Sequence, residues 1–214
     1  MKQAQSSSLG FTLIELMVTV SIAAVLLALA LPSFAPTIRS NRLTTYTNDL
    51  IASFSLARSE AVKRGQHVVV GRNGANWEDG WRVFVDINRM GANANVYDAT
   101  DAANCTVGAD CLLKTYPALS GSYTLRGGNN VAVFVRYVPS GISNYIPDGL
   151  SNIANDYFVI CDNSDGNNLP EANTAKLITI NSVGRLRLAA DTSVPPDNIP
   201  NLNATTNVAT CTPA

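Results

Sequence analysis

The residues whose types suggest chemistry are one histidine, four cysteines, an oxygen-rich run late in the chain and a single acid inside a long apolar stretch. His67 opens a valine-rich segment with no nucleophile motif beside it, so a base-and-nucleophile pair lacks its second member and a structural role is expected. No glycine-rich phosphate loop or metalloprotease helix accompanies it. Asp162-Asn163-Ser164-Asp165-Gly166-Asn167-Asn168 offers oxygen ligands, but not in the EF-hand order of acids and glycine, and reads as a solvated turn. No catalytic residue, metal or cofactor is expected, and the chain is read as a non-enzyme.

Cys105, Cys111, Cys161 and Cys211 all lie late in the chain, with no Cys-x-x-Cys or histidine partner to suggest zinc. An even number in this position suits two disulfides in an oxidising compartment. Three pairings are possible; sequence separation favours Cys105 with Cys111 and Cys161 with Cys211.

Glu15 interrupts the run Phe11 to Leu31, twenty-one residues long enough to cross a bilayer of about 30 Å as a helix. A carboxylate at the centre of such a helix costs about 2.5 to 3.5 kcal/mol, and calls for a function or a partner. Its place near one end lowers that cost. The preceding residues, MKQAQSSSLG, are polar with one basic residue, Lys2, and Gly10 is the small residue at the junction. An ordinary secretory signal is cut after its apolar core; cutting at Gly10 keeps the core. The freed ammonium of Phe11 could then pair with Glu15 of a neighbouring subunit once helices bundle.

Gly10-Phe11-Thr12-Leu13-Ile14-Glu15-Leu16 resembles the class III signal of type IV pilins and type II secretion pseudopilins. The resemblance implies that a prepilin peptidase cuts between Gly10 and Phe11, that Phe11 is N-methylated and that Glu15 guides assembly. Pro32 falls where such pilins carry a helix-kinking proline, in keeping with its missing N–H and ring clash.

The elements that must position these residues follow in order. After Pro36, Leu43, Tyr46, Leu50, Phe54, Ala57 and Ala61 recur at helical spacing, and Gly65 stops the helix behind Lys63 and Arg64. One helix from about Thr12 to about Arg64 is predicted. Strands are predicted at His67 to Val70, Trp81 to Ile87, Tyr123 to Leu125, Val131 to Tyr137, Tyr157 to Cys161, Lys176 to Ile180 and Arg185 to Leu188. Asn88 to Lys114 reads as a long loop and the tail after Asp191 as irregular coil. The predicted fold is α+β: a long, kinked N-terminal helix, membrane-spanning in its first half, against a C-terminal antiparallel β-sheet head. The divisions are a leader at 1–10, a transmembrane and filament-core helix at 11–35, an amphipathic stem at 36–65 and a periplasmic head at 66–214. Beyond Gly65 nine Lys/Arg stand against thirteen Asp/Glu, a mildly acidic surface of about −4.

Gly80-Trp81-Arg82-Val83-Phe84-Val85-Asp86-Ile87-Asn88 resembles the GW-x-x-F-x-D-x-N stretch of H-type pseudopilins and FimT/FimU minor pilins, and Ser182-Val183-Gly184-Arg185-Leu186-Arg187 resembles their later glycine-arginine strand. The resemblance, with the FimU-like branch favoured, implies a type IV pilus minor pilin that joins the filament tip or initiation complex and primes growth. Its partners would be other minor pilins, the major pilin, prepilin peptidase and the inner-membrane assembly platform. It would sit in the bacterial inner membrane, head in the periplasm, before entering the pilus or pseudopilus. Three alternatives stay open: an H-type minor pseudopilin of a type II secretion system, a DNA-uptake pilin and a membrane-anchored periplasmic enzyme. Some FimT-like pilins bind DNA through Gly-Arg-x-Arg and a basic tail; Arg185 and Arg187 match, but Ala189 to Ala214 holds no Lys or Arg and few phosphates could be neutralised. Nucleic acid is therefore not an expected partner, and a solvated arginine face opposite Leu186 and Leu188 suffices.

Overall fold

A computed structural model of the chain describes residues 10–87, 95–98, 110–144, 156–181, 183–193, 195–203 and 206–212, without the side chains of 29–33. Its contacts form two units, Met1–Arg39 and Ser40–Ala214. Helix α1, Leu13–Arg64, supplies residues to both.

In the second unit the predicted stripe is the buried one. Leu43, Leu50, Phe54, Ala57 and Ala61 are all within the core, with Tyr46 packed at its edge. Helical spacing puts them on one face. Thr47 and Ser53 are buried too, and escape a desolvation cost because their hydroxyls donate to the carbonyls of Leu43 and Leu50, both at 2.7 Å. Gly65 ends the helix with φ +64°, the left-handed cap that only glycine adopts freely.

The strands are β1 (Val68–Arg72), β2 (Trp81–Val85), β3 (Cys111–Tyr116), β4 (Tyr123–Gly127), β5 (Phe134–Tyr137), β6 (Ser143–Asn144), β7 (Asp156–Asp162), β8 (Ala175–Ile180), β9 (Leu186–Leu188), β10 (Asn201–Asn203) and β11 (Thr206–Asn207). One sheet runs β3-β2-β1-β5-β6 and a second β4-β7-β8-β9, while β10 and β11 form a hairpin; every pairing is antiparallel. Alternation turns Val68, Val70, Trp81, Val83 and Val85 of the first sheet, and Leu125, Phe158, Ile160, Ile178 and Ile180 of the second, into one core with the helix stripe. Phe54 is its aromatic hub, with ring centroids 5.3 Å from Phe158 and 6.3 Å from Trp77. The α+β expectation holds.

Several boundaries differ from the sequence reading. The strand predicted from Val131 begins only at Phe134, because the carbonyls of Val131 and Ala132 turn to accept the Trp77 indole N–H, each at 3.0 Å. The predicted loop Asn88 to Lys114 contains the start of β3, whose six residues follow an Asn/Asp/Ala-rich run that masks their pattern. The tail predicted as coil carries β10 and β11.

Cys161 on β7 is bonded to Cys211, which brings the tail across the second sheet: Val208 and Cys211 pack on Val159, Cys161, Ala175 and Leu177. Cys111 is also disulfide-bonded; its expected partner, Cys105, lies outside the described residues. No described cysteine is free. The Cys161–Cys211 link closes a separation of 50 residues. On the chain-entropy account a loop of that size is worth about 4 kcal/mol. A Cys211→Ser variant should unfold at correspondingly lower denaturant, and mass spectrometry of a non-reduced digest of the natural chain should recover the Cys161 and Cys211 peptides joined; intact stability with two alkylatable thiols would refute the role given to this bond.

Candidate functional site

The first unit begins with Gly10 and Phe11 exposed. Thr12 caps α1: its hydroxyl accepts the N–H of Glu15 at 3.2 Å and its carbonyl accepts that of Leu16 at 3.2 Å. Glu15 is thereby held in the first turn, where unsatisfied N–H groups and the helix dipole favour a negative charge. The signal for this was present in the sequence as Thr-x-x-Glu, a capping-box spacing, and the apolar-run reading passed over it.

Leu13, Ile14, Leu16, Met17, Val18, Val20, Ile22, Val25, Leu26 and Leu27 are each at least half exposed. Consecutive exposed residues of this kind point in every direction around a helix, so water is a poor neighbour on all sides and lipid or other apolar helices must cover it. The polar residues in the run do not oppose this. Thr19 and Ser21 return their hydroxyls to the carbonyls of Leu16 and Met17, at 2.9 and 2.7 Å. Among the described residues no helix is long and apolar enough to cross a membrane. The described side chains of the apolar run end at Ala28, while the run continues to Leu31 in the sequence. Pro32 lies within α1, but its side chain is outside the described residues.

The second unit holds the two head motifs. In the first, Gly80 has φ +93° and a Cβ there would stand 2.6 Å from the Tyr116 carbonyl oxygen, so glycine is required where the chain enters β2. Trp81 stacks on Tyr116 with centroids 5.0 Å apart, and Trp81 and Phe84 are buried, so both pack the head. Asp86, quoted above only as one residue of the motif, ties the end of β2 to Asn95. Its carboxylate accepts the N–H of Asn95 at 3.1 Å, while Asp110 accepts the N–H groups of Ile87 and Asp98 at 3.0 and 2.9 Å.

In the second motif the glycine and the arginines do different work. Gly184 has φ +74°, and a Cβ there would lie 2.7 Å from a Tyr137 ring carbon and 2.8 Å from Ser143 Cβ. The Tyr137 hydroxyl donates to the Gly184 carbonyl at 2.7 Å. Burial pushes that hydroxyl well above its usual range, so it stays protonated and able to donate. Arg185 and Arg187 are exposed, flanking the half-buried Leu186 that packs on the core. Leu188, expected opposite the arginines on a half-buried face, is itself 53% exposed, because β9 is the edge strand and the sheet ends there. Arg58 of α1 shares a cleft with Arg185, Leu186, Ser55 and Tyr137, and no acid among the described residues lines it.

Asp162 to Asn168 is a turn tied by its own side chains. Asp162 accepts the Ser164 N–H at 3.1 Å and Asp165 that of Asn167 at 3.2 Å. Among the described residues no group of three or more His, Cys, Asp or Glu is placed to hold a metal ion. The histidine expected to be structural, His67, precedes β1 and its carbonyl accepts the Asp86 N–H at 2.9 Å.

Residues 46–184 match a protein family described as Type II transport protein GspH. The chain belongs to the GspH family. Residues 5–31 match a second pattern, the prokaryotic N-terminal methylation motif. Among solved structures, the type IV minor pilin FimU of Pseudomonas aeruginosa (strain PAO1) is 16% identical, with 80% of this chain and 96% of that one aligned and a TM-score of 0.49. The minor pseudopilin EpsH from the type 2 secretion system of Vibrio cholerae is 13% identical, over 71% of this chain and 99% of that one, with a TM-score of 0.43. No curated protein matches the chain. This member of the GspH family is a minor pilin or pseudopilin, and such subunits are structural proteins.

Proposed function

We propose that this chain is a minor pilin of a type IV pilus, cut by prepilin peptidase between Gly10 and Phe11, methylated at Phe11 and incorporated at the filament tip or initiation complex to prime assembly. The observation that carries the reading is the N-terminal segment: a helix apolar on every side, with one acid, Glu15, in its first turn and a separately cored head beyond it. Before assembly the helix waits in the inner membrane with the head in the periplasm; in the fibre, sister helices replace lipid around it. Glu15 then meets the Phe11 ammonium of a neighbour, which satisfies two charges that are costly apart in an apolar setting. Pro32 lets the helix bend between membrane and stem. The head presents faces to other minor pilins and the major pilin.

A second reading, the H-type minor pseudopilin of a type II secretion system, is favoured by the family's own description. Co-purification of the full-length protein with its membrane partners separates the two: pilus subunits and their assembly platform support the first, secretion pseudopilins the second, and neither set would count against both.

The exposed Arg185 and Arg187, with Arg58 nearby, motivate a check on nucleic acid. Few phosphates can be neutralised there, so the expected gel-shift result is no retained duplex at physiological salt. A shift lost on Arg185→Ala with Arg187→Ala would instead assign DNA capture to this strand.

A further inference from the structure

The face of the first sheet turned away from the α1 stripe carries a cleft. Val68 and Val70 of β1 and Val83 and Val85 of β2 point into the helix-facing core, so Gly71, Arg82 and Phe84 lie on the other side. The cleft there is lined by Gly71, Arg72, Arg82, Phe84, Asn95 and Tyr97 among others, with no Asp or Glu among the described residues that line it. The Arg82 guanidinium therefore gives it a positive field on an otherwise acidic head. Arg82 makes no ion pair with another described residue. The Arg82 guanidinium lies 5.1 Å above the Tyr97 ring, and Tyr97 meets Phe84 edge-on at 5.3 Å. Stacking holds one flat face of the guanidinium and leaves its N–H edge for a partner.

Two further features point to a ligand. Gly71 sits in the central strand without a positive φ, and a Cβ there would meet only ordinary contacts, 3.7 Å from Phe134 and 3.8 Å from Phe84. The backbone does not demand glycine, which weakens a strand interior relative to alanine. What the missing side chain provides is an open floor, as where another molecule approaches closely. Asn95 is 5% exposed, gives its N–H to Asp86 and receives Arg136 Nη1 on its Oδ1 at 3.1 Å, yet its Nδ2 has no hydrogen-bond partner. A buried donor without an acceptor in the wall of a cleft is uncommon.

We infer that this cleft binds a carboxylate carried on a small apolar or aromatic body, the charge taken by Arg82, a further hydrogen bond given by Asn95 Nδ2, and the apolar part received over Gly71 between Phe84 and Tyr97. The planar fork of arginine matches a carboxylate, and the aromatic walls give no advantage to a fully hydrated anion. A free organic acid, or a Glu beside an aromatic residue on a neighbouring subunit, presents the same chemistry.

Calorimetric titration of the full-length protein in detergent tests this, with sodium benzoate as the free acid, benzamide as its uncharged counterpart and an acetylated, amidated Ala-Phe-Glu-Ala peptide as the tethered form. Saturable binding of benzoate or the peptide, but not of benzamide, is expected. The acid that binds identifies the source, free or subunit-borne. Arg82→Gln should weaken binding by about tenfold or more, the loss expected for a hydrogen bond to a charged group. Gly71→Val should fill the floor and abolish it; if that variant does not fold, Arg82→Gln alone decides. No heat with either acid, equal binding of benzamide, or undiminished affinity in folded Arg82→Gln overturns the assignment.

Discussion

A Gly10→Val variant is expected to accumulate as uncut precursor in the inner membrane, with no subunit reaching a filament. The structure makes this a clean test. Gly10 is exposed, and a Cβ built there meets nothing within 4 Å, so a larger residue disturbs no contact of the chain. Loss of processing would then reflect recognition at the junction rather than a damaged fold. The head should retain the melting behaviour of the natural chain, since its core draws on no residue before Leu43. Glu15→Ala provides the complementary arm. The precursor is cut normally, because the junction is untouched, but the matured subunit fails to enter the fibre because the Phe11 ammonium of its neighbour has no counter-charge in an apolar bundle. Immunoblotting of membrane and sheared-filament fractions reads both variants. Normal maturation of Gly10→Val contradicts the cleavage assignment, and normal incorporation of Glu15→Ala contradicts the pairing.

The second large effect concerns the glycine of the arginine strand. Gly184→Ala should destabilise the head by about 2 to 5 kcal/mol, combining the cost of a left-handed backbone for a residue with a Cβ and the overpacking of a filled site. The built Cβ would stand 2.7 Å from the Tyr137 ring and 2.8 Å from Ser143, both buried, so neither neighbour has free space to move into. A loss of that size is a large share of the about 5 to 15 kcal/mol that holds an ordinary domain together. The Tyr137 hydroxyl would also be pushed from the Gly184 carbonyl it now reaches at 2.7 Å. Arg185→Ala and Arg187→Ala, both at exposed positions, should each change stability by no more than about 0.5 kcal/mol. Chemical denaturation of the three variants separates the roles. Equal stability of Gly184→Ala and the natural chain would mean that the close approach at Gly184 relaxes without cost.

Some of this was written locally in the chain. Helix α1 was legible because its stripe, Leu43 to Ala61, repeats at a spacing that only a helix brings to one face, and because Lys63, Arg64 and Gly65 mark its end within three residues. The longer strands β7 and β8 were legible because runs of β-branched and aromatic residues fill them. The N-terminal motif was legible because its small residue, aromatic and acid occur within six consecutive positions. Strands of three residues or fewer in the tail, β10 and β11, are too short for alternation to register, and β3 is hidden behind the composition of the segment before it.

What sequence alone determined, then, was the apolar helix with its acid, the amphipathic stem and the β-rich head with cysteines fit for pairing, since each is a matter of residue type and near-neighbour spacing. Only the tertiary structure decided what the motifs touch. Gly184 meets Tyr137 from 47 positions away, Asp86 reaches the N–H of Asn95 and Asp110 those of Ile87 and Asp98, and Gly71 leaves an opening beside Arg82 on a different strand. These are consequences of which strands lie side by side, and strand order depends on burying all the apolar faces at once, a condition no local window of residues contains.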